Sequence, residues 1–183
     1  MDAPIPPSHV DPGEYAGAMA QHVASVCVIA TVLDGQRFGL TATAVSSVSA
    51  TPPRLLACVN KSSFTHDKIV AAGRFCVNVL AEDQDPVAKA FAGLSGDRAD
   101  RFAAGAWTTL KTGAPALVGA AATFDCMIAQ TIDQFTHTIF IGDVVSVAAQ
   151  LGQDSLLYGA RKFRQLRKVF SALDVGDGEA LHF

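Results

Sequence analysis

The sequence is short of nearly everything that would name a reaction outright. No G-x-G-x-x-G follows a strand and no G-x-x-x-x-G-K-[ST] occurs, so neither a doubly wound dinucleotide fold nor a P-loop is written in it. H-E-x-x-H and G-x-S-x-G are absent as well, which removes the zinc-protease helix and the hydrolase nucleophile elbow. The histidines, His9, His22, His66, His137 and His182, show no ligand-like spacing, and no metal site is expected. Cys27, Cys58, Cys76 and Cys126 form no C-x-x-C pair. They sit in apolar, β-branched runs such as SVCVIATV and FCVNVL, and read as small buried hydrophobes in strands, not as a disulfide framework. Only 17% of residues are charged and the net charge is −3, so no basic excess exists to neutralise a nucleic-acid backbone. The cluster Arg161, Lys162, Arg164, Arg167 and Lys168 reads as a solvated face. The longest strongly apolar run, Val23 to Leu33, is interrupted by Ser25 and Thr31 and closed by Asp34. A membrane-spanning helix needs roughly 20 residues, and this run is too short. The opening MDAPIPPSHVDPGEY has neither the basic nor the apolar region of a secretion signal, and the cytoplasm is the expected location.

What is present is apolar material: half of 183 residues, enough to bury a sizeable core in one domain. Pro4, Pro6, Pro7 and Pro12 mark residues 1–13 as an extended arm; residues 14–170 form the domain and 171–183 a tail. Asp11 can cap a helix that starts at Pro12 and runs through Tyr15, Met19 and Val23. β-signals follow. Ser25 to Leu33, the turn dipeptide Asp34-Gly35 and Arg37 to Thr41 predict a hairpin. Val45 to Ala50 alternates as a strand, Pro52-Pro53 stops it, and Arg54 to Val59 is the next. Ser63 to Ala72 reads as a helix capped by Ser62 or Ser63, with Ile69 and Val70 inward and Gly73 ending it. Phe75 to Leu80 is a strand, Asp85-Pro86 opens a helix through Val87, Ala90 and Phe91, and Leu94 to Gly105 is a loop. Leu117 to Ala129, Thr138 to Val147 and Leu156 to Tyr158 complete the strands, and Arg161 to Val169 forms a terminal helix or turn. About seven or eight strands with two or three short helices, lacking regular crossovers, predict a mainly β, antiparallel barrel.

The chemistry sits in the hydroxyls. Thr41, Thr43, Ser46, Ser47, Ser49 and Thr51 crowd one stretch, and Asn60-Lys61-Ser62-Ser63 follows at the junction of a strand and a helix. Hydroxyls, a lysine and the N–H groups of a helix start are what a phosphate needs, and also what any polar sheet face and ordinary cap contain.

The run GLTATAVSSVSATPPRLLACVNKSSFTHDKI with FCVNVLAEDQDPVAKAFAG resembles the flavin reductases of two-component flavin-dependent monooxygenases. It is similar to that family's G-x-T-A-x-x-x-x-S-x-S-x-x-P-P run and N-x-x-S turn. Asp100-Arg101-Phe102, Trp107, Gly113 to Leu117, Phe124-Asp125-Cys126, the HTIFIGDVV that begins at His137, and Leu156-Leu157-Tyr158 recur in the family's order, so that the likeness covers residues 15–168. The resemblance implies an FMN-binding split β-barrel of Greek-key type, usually a homodimer, without a Rossmann fingerprint. It implies that Thr41, Ala42, Thr43, Ala44 and Val45 run beside the flavin ring, with Val59 and Asn60 approaching from the next strand. Ser46, Ser47, Lys61, Ser62 and Ser63 are then implied towards the ribityl and phosphate. His137 matches a position near the nicotinamide, although Phe135-Thr136 stands where the family has Gly-Asp; Tyr158 and Arg161 match a segment bordering the dinucleotide.

The implied activity is hydride transfer from NADH or NADPH to N5 of FMN or FAD, supplying reduced flavin to a partner monooxygenase. The cofactors carry that chemistry, which accounts for the missing catalytic constellation. Two alternatives stay open: a flavin-bound reductase of another small acceptor, a corrinoid or a quinone, and a flavin-binding module without enzymatic activity.

Overall fold

The computed structural model describes residues 9–93 and 98–166. Most of the arm, the tail, and Arg167 to Val169 of the terminal helix or turn lie outside the described residues. The first helix, α1 (Pro12–Met19), is opened by the Asp11 carboxylate, which accepts from the N–H groups of Gly13 and Glu14. It ends before Val23, because Ala20 onward turns into β1 (Ala24–Ser25) and β2 (Cys27–Leu33). Asp34 (φ 50°) and Gly35 (φ 76°) form the tight turn to β3 (Gln36–Ala42), as a two-residue hairpin of the favoured twist requires.

From there the chain passes through β4 (Val45–Ala50), β5 (Pro53–Asn60), α2 (His66–Ala72), β6 (Arg74–Val79) and α3 (Asp85–Phe91). A 3₁₀ turn (Arg98–Ala103) lies where the sequence predicts loop. Short β7 (Trp107–Thr109) and β8 (Pro115–Leu117) pair with each other. The long hairpin of β9 (Ala122–Gln134) and β10 (His137–Ala149) follows, then β11 (Leu157–Gly159) and β12 (Lys162–Arg164).

Several boundaries differ from the sequence reading for local reasons. The helix expected from Ser63 begins at His66, because the Asn60 side chain and carbonyl capture the Ser62 and Ser63 N–H groups in a turn first. Within that helix Ile69 is buried but Val70 is exposed; Gly73 does end it, at φ 65°. The strand expected from Leu117 is split, since Gly119 (φ 78°) breaks β8 from β9. The segment after Arg161 is strand β12, not helix, because it closes a hairpin on β11.

The main sheet has seven antiparallel strands in the order β3-β2-β6-β9-β10-β5-β4. Its two edges are β3 and β4, and these are neighbours in the chain, joined only by Thr43 and Ala44. A link that short spans about 11 Å at most. The sheet must therefore roll until its edges nearly meet, giving an antiparallel barrel split along one seam.

The burial pattern supports this. Strand β2 is buried on both faces: Cys27 and Ile29 point into the barrel with Leu55, Val59, Phe75, Val77, Cys126 and Phe140, and Ile69 of α2 plugs one end. Val26, Val28 and Ala30 point outward against Leu80, Val87, Phe91 and Leu156. Gly39 lets β3 approach α3, since a Cβ there would meet the Phe91 ring at 2.6 Å. Buried Asn78 ties the layers together: its amide donates to the carbonyls of Val28 and Pro115 (both 3.2 Å), and its oxygen accepts from Leu117 N at 2.7 Å.

Candidate functional site

The seam explains why the stretch around Thr43 is chemically available. A strand edge that faces no other strand presents backbone N–H and C=O groups to whatever lies alongside. Thr43, Ala44, Ser46 and Ser47 are exposed there, with Ala42 and Val45 half-buried. Along this edge runs a groove of about 460 Å³, with Thr43, Ser46, Ser47 and Ser49 on its rim and Val45, Leu55, Val79, Phe124, Val144 and Val147 on its apolar walls. Apolar walls with a few rim hydroxyls, at this volume, suit a planar ring system carrying a polar tail.

A second groove, of about 430 Å³, adjoins it at Thr43 and brings Thr41, Ala42 and Thr43 together with Tyr158 and Arg161. The Thr41 hydroxyl does not face that groove as a free donor; it donates to the Ala88 carbonyl at 2.7 Å and so clamps β3 to α3. Ala160 (φ 50°) and Arg161 (φ 60°) form the two-residue turn between β11 and β12. Left-handed backbone costs a residue with a side chain about 1–2 kcal/mol, and such strain gathers at ligand sites. The Ala160 N–H donates to Ala20 O at 2.6 Å, holding the turn in place.

The third cluster lies at the far end of β5. Asn60 pairs with His137, and the Lys61 N–H donates to Thr136 O at 2.9 Å. Val59 is fully buried, so its side chain is floor, not surface. The Asn60 carboxamide oxygen accepts from both the N–H and the hydroxyl of Ser62 (2.8 Å each), and the Ser63 N–H bonds the Asn60 carbonyl. The N–H groups of residues 61–63 are thus already committed, and no helix starts at Ser63. The Lys61 ammonium and the Ser63 hydroxyl, which accepts from Thr65 N, are what this turn offers an anion.

Ser46 and Ser47 stand in register with Leu56 and Leu55. Lys61 is five positions beyond Leu56, about 17 Å along a strand. The chain therefore brings Thr41–Thr43 to Tyr158 and Arg161, and Asn60–Ser63 to His137. It does not bring Ser46 and Ser47 to Lys61–Ser63. Ala44 is the hinge between clusters, since its carbonyl accepts from Cys58 N beside Val59 and Asn60.

A hydrogen-bonded chain backs the third cluster, and the sequence reading missed it. Lys61 Nζ lies 3.3 Å from Asp133 Oδ1. Thr138 donates to Asp133 at 3.2 Å, and His66 Nε2 lies 2.9 Å from the Thr138 hydroxyl; His66 Nδ1 faces the Asp67 carboxylate at 2.8 Å. Hydrogen bonds from Lys61, and then Thr138, hold Asp133 below the usual carboxylate range. A third groove, of about 340 Å³, was also missed; it lies just past Ser63 and is lined by Arg37, Phe38, Phe64, Thr65, Arg101 and Phe102, with the Arg37 guanidinium 4.5 Å from the Phe102 ring centre. The Asp100-Arg101-Phe102 motif was a signal for it. The cysteines are free thiols; burial pushes Cys27 and Cys126 up to about 12 and Cys76 higher still. Among the described residues no cluster could hold a metal ion, and no helix is long and apolar enough to cross a membrane.

Residues 19–167 match the flavin reductase like domain. The chain belongs to that family. This flavin reductase-like domain is 42% identical to the FMN reductase (NADH) RutF of Ancylobacter novellus, over 82% of each chain. It is 40% identical to FMN reductase (NADH) RutF 2 of Methylorubrum extorquens, over 92% of this chain and 97% of that one. Among solved structures it resembles the NADH:FAD oxidoreductase SgcE6 of Streptomyces globisporus in complex with NAD and FAD fragments, with a TM-score of 0.79, 29% identity, and coverage of 89% and 99%. It also resembles the flavin reductase component BorF of a bacterial two-component tryptophan halogenase, with a TM-score of 0.78, 32% identity, and coverage of 85% and 98%. The split barrel, the antiparallel order and the family reading of the sequence agree with these relatives.

Proposed function

We propose that this protein reduces FMN with NADH and releases the reduced flavin to a separate monooxygenase. The observation that carries the reading is the match, over most of both chains, to relatives named FMN reductase (NADH). The seam fits a flavin: an open strand edge beside an apolar groove, and a lysine-bearing turn at the end of the adjacent strand. Bound there, the flavin would supply the hydride acceptor, its N5.

The chain's own residues do the rest. Thr41 to Val45 would run beside the ring, with Ser46 and Ser47 along the ribityl side. Asn60 shapes the turn so that Lys61 and Ser63 meet the phosphate, with Ser62 locking it. Val59 supplies the buried floor under Asn60. His137, Tyr158 and Arg161 would border the dinucleotide and align its nicotinamide; alignment of this kind is a large share of what a protein adds to cofactor chemistry. The groove of Arg37, Phe38, Arg101 and Phe102 favours a second reading in which FAD also serves, its adenylate meeting a cation and aromatic faces.

Val48 and Val147, exposed beside the seam, support a homodimer that covers them. Four free cysteines support a reducing compartment, the cytoplasm. The test is loss of NADH or NADPH absorbance with riboflavin, FMN or FAD added. Rapid turnover with NADH and FMN is expected. Negligible flavin turnover beside rapid turnover of a corrinoid or a quinone would refute the reading, as would flavin uptake without any oxidation of NADH.

A further inference from the structure

The tip of the β9–β10 hairpin carries a residue that folding does nothing to favour. Phe135 is 95% exposed, at φ 46°, in the two-residue turn between Gln134 and His137. That is the position where such a turn prefers glycine, and where the family pattern has one. An aromatic ring gains nothing from water, and a Cβ is disfavoured in left-handed backbone. Strain of this kind points to a site.

The turn is also held firmly from both sides. Lys61 N donates to Thr136 O at 2.9 Å, and Thr136 Oγ1 lies 2.9 Å from His137 Nδ1. One residue further, Thr138 is fixed between His66 and Asp133. The ring is therefore carried on a rigid support and loses only two torsions when it is covered.

Resting on the reading of the protein as an NADH-dependent flavin reductase, we propose that Phe135 is a stacking platform for an aromatic ring of the nicotinamide dinucleotide. Two planar molecules meet in that reaction. The proposed flavin strip Thr43 to Val45 leads into β4, whose first residue is Val45, and β5 separates β4 from β10. Phe135 thus stands across Asn60 from the strip, next to His137, and the dinucleotide is the planar partner left for it.

Phe135→Gly restores the residue the turn prefers, so the fold is kept and Tm holds or rises. For the FMN-loaded full-length protein, calorimetric titration with NAD+ should show Kd raised about fivefold. The FMN Kd, read by fluorescence quenching, should stay within about twofold, and Phe135→Trp should return the NAD+ Kd to within about twofold of wild type. An unchanged NAD+ Kd in Phe135→Gly overturns the proposal. A rise in the FMN Kd alone also overturns it, giving the ring to the flavin; dissociation of an oligomer in light scattering overturns it by giving the ring to a second copy. Failure of the wild-type protein to oxidise NADH with FMN overturns both this proposal and the reading beneath it. Wild-type turnover together with an unaltered variant overturns this proposal alone.

Discussion

Lys61→Ala tests the proposed phosphate end of the site, and the structure sets the size of the effect. The turn from Asn60 to Ser63 has spent its own N–H groups on Thr136 and Asn60, so the Lys61 ammonium is the one full positive charge it presents. A hydrogen bond to a charged group is worth about 1.5–3 kcal/mol. The Lys61 side chain keeps 35% of its surface, and its carboxylate partner Asp133 competes for it at 3.3 Å. Screening and competition take the figure just below that range, to about 1.4 kcal/mol, or roughly tenfold in affinity. Riboflavin, which has the ring and ribityl chain without the phosphate, provides the reference. The KM for FMN should rise about tenfold and the KM for riboflavin less than about twofold, with the FMN effect shrinking as salt is raised. Because the Lys61–Asp133 pair is exposed, Tm should move little. Equal increases for both flavins, or no change for FMN, would refute the placement of phosphate at this turn.

Other consequences are as direct. Asp133 is held below the ordinary carboxylate range by Lys61 and Thr138, so whatever stability its charge contributes is present above about pH 4 and is lost as pH falls through its lowered value. Thr138→Val should move its titration upward, read by carboxyl-carbon NMR. Cys27, Cys76 and Cys126 should resist alkylation at pH 8 in the native protein and label only in denaturant, because they are buried and their thiols are pushed far up; mass spectrometry of trapped peptides checks this. Arg161→Gly should raise stability by about 1 kcal/mol, by relieving left-handed backbone, while raising the KM for NADH; chemical denaturation and steady-state kinetics would separate the two effects.

Much of this protein is local and therefore legible in one dimension. Asp34-Gly35 specifies its turn because the left-handed backbone there suits those residues, and Gly73 ends α2 for the same reason. The apolar runs holding Cys27, Cys76 and Cys126 are buried strands, as their composition demands. The ordered motifs from Gly39 to Tyr158 placed the chain in its family.

Tertiary structure decided what no window of sequence contains. The stretch from Thr43 to Val45 is accessible because β3 and β4, adjacent in the chain, are opposite edges of one rolled sheet. Pairing of β5 with β10 brings His137 to Asn60 across a long stretch of sequence. The Thr41 hydroxyl, a binding candidate by composition, is used by the Ala88 carbonyl 47 residues away. Ser46 and Lys61 share a composition suited to phosphate, but strand register separates them. Hydrophobic period and turn chemistry act between near neighbours and can be read from residue order. A hydroxyl's partner and a strand's register depend on which distant segments pack together, and the folded chain alone determines that.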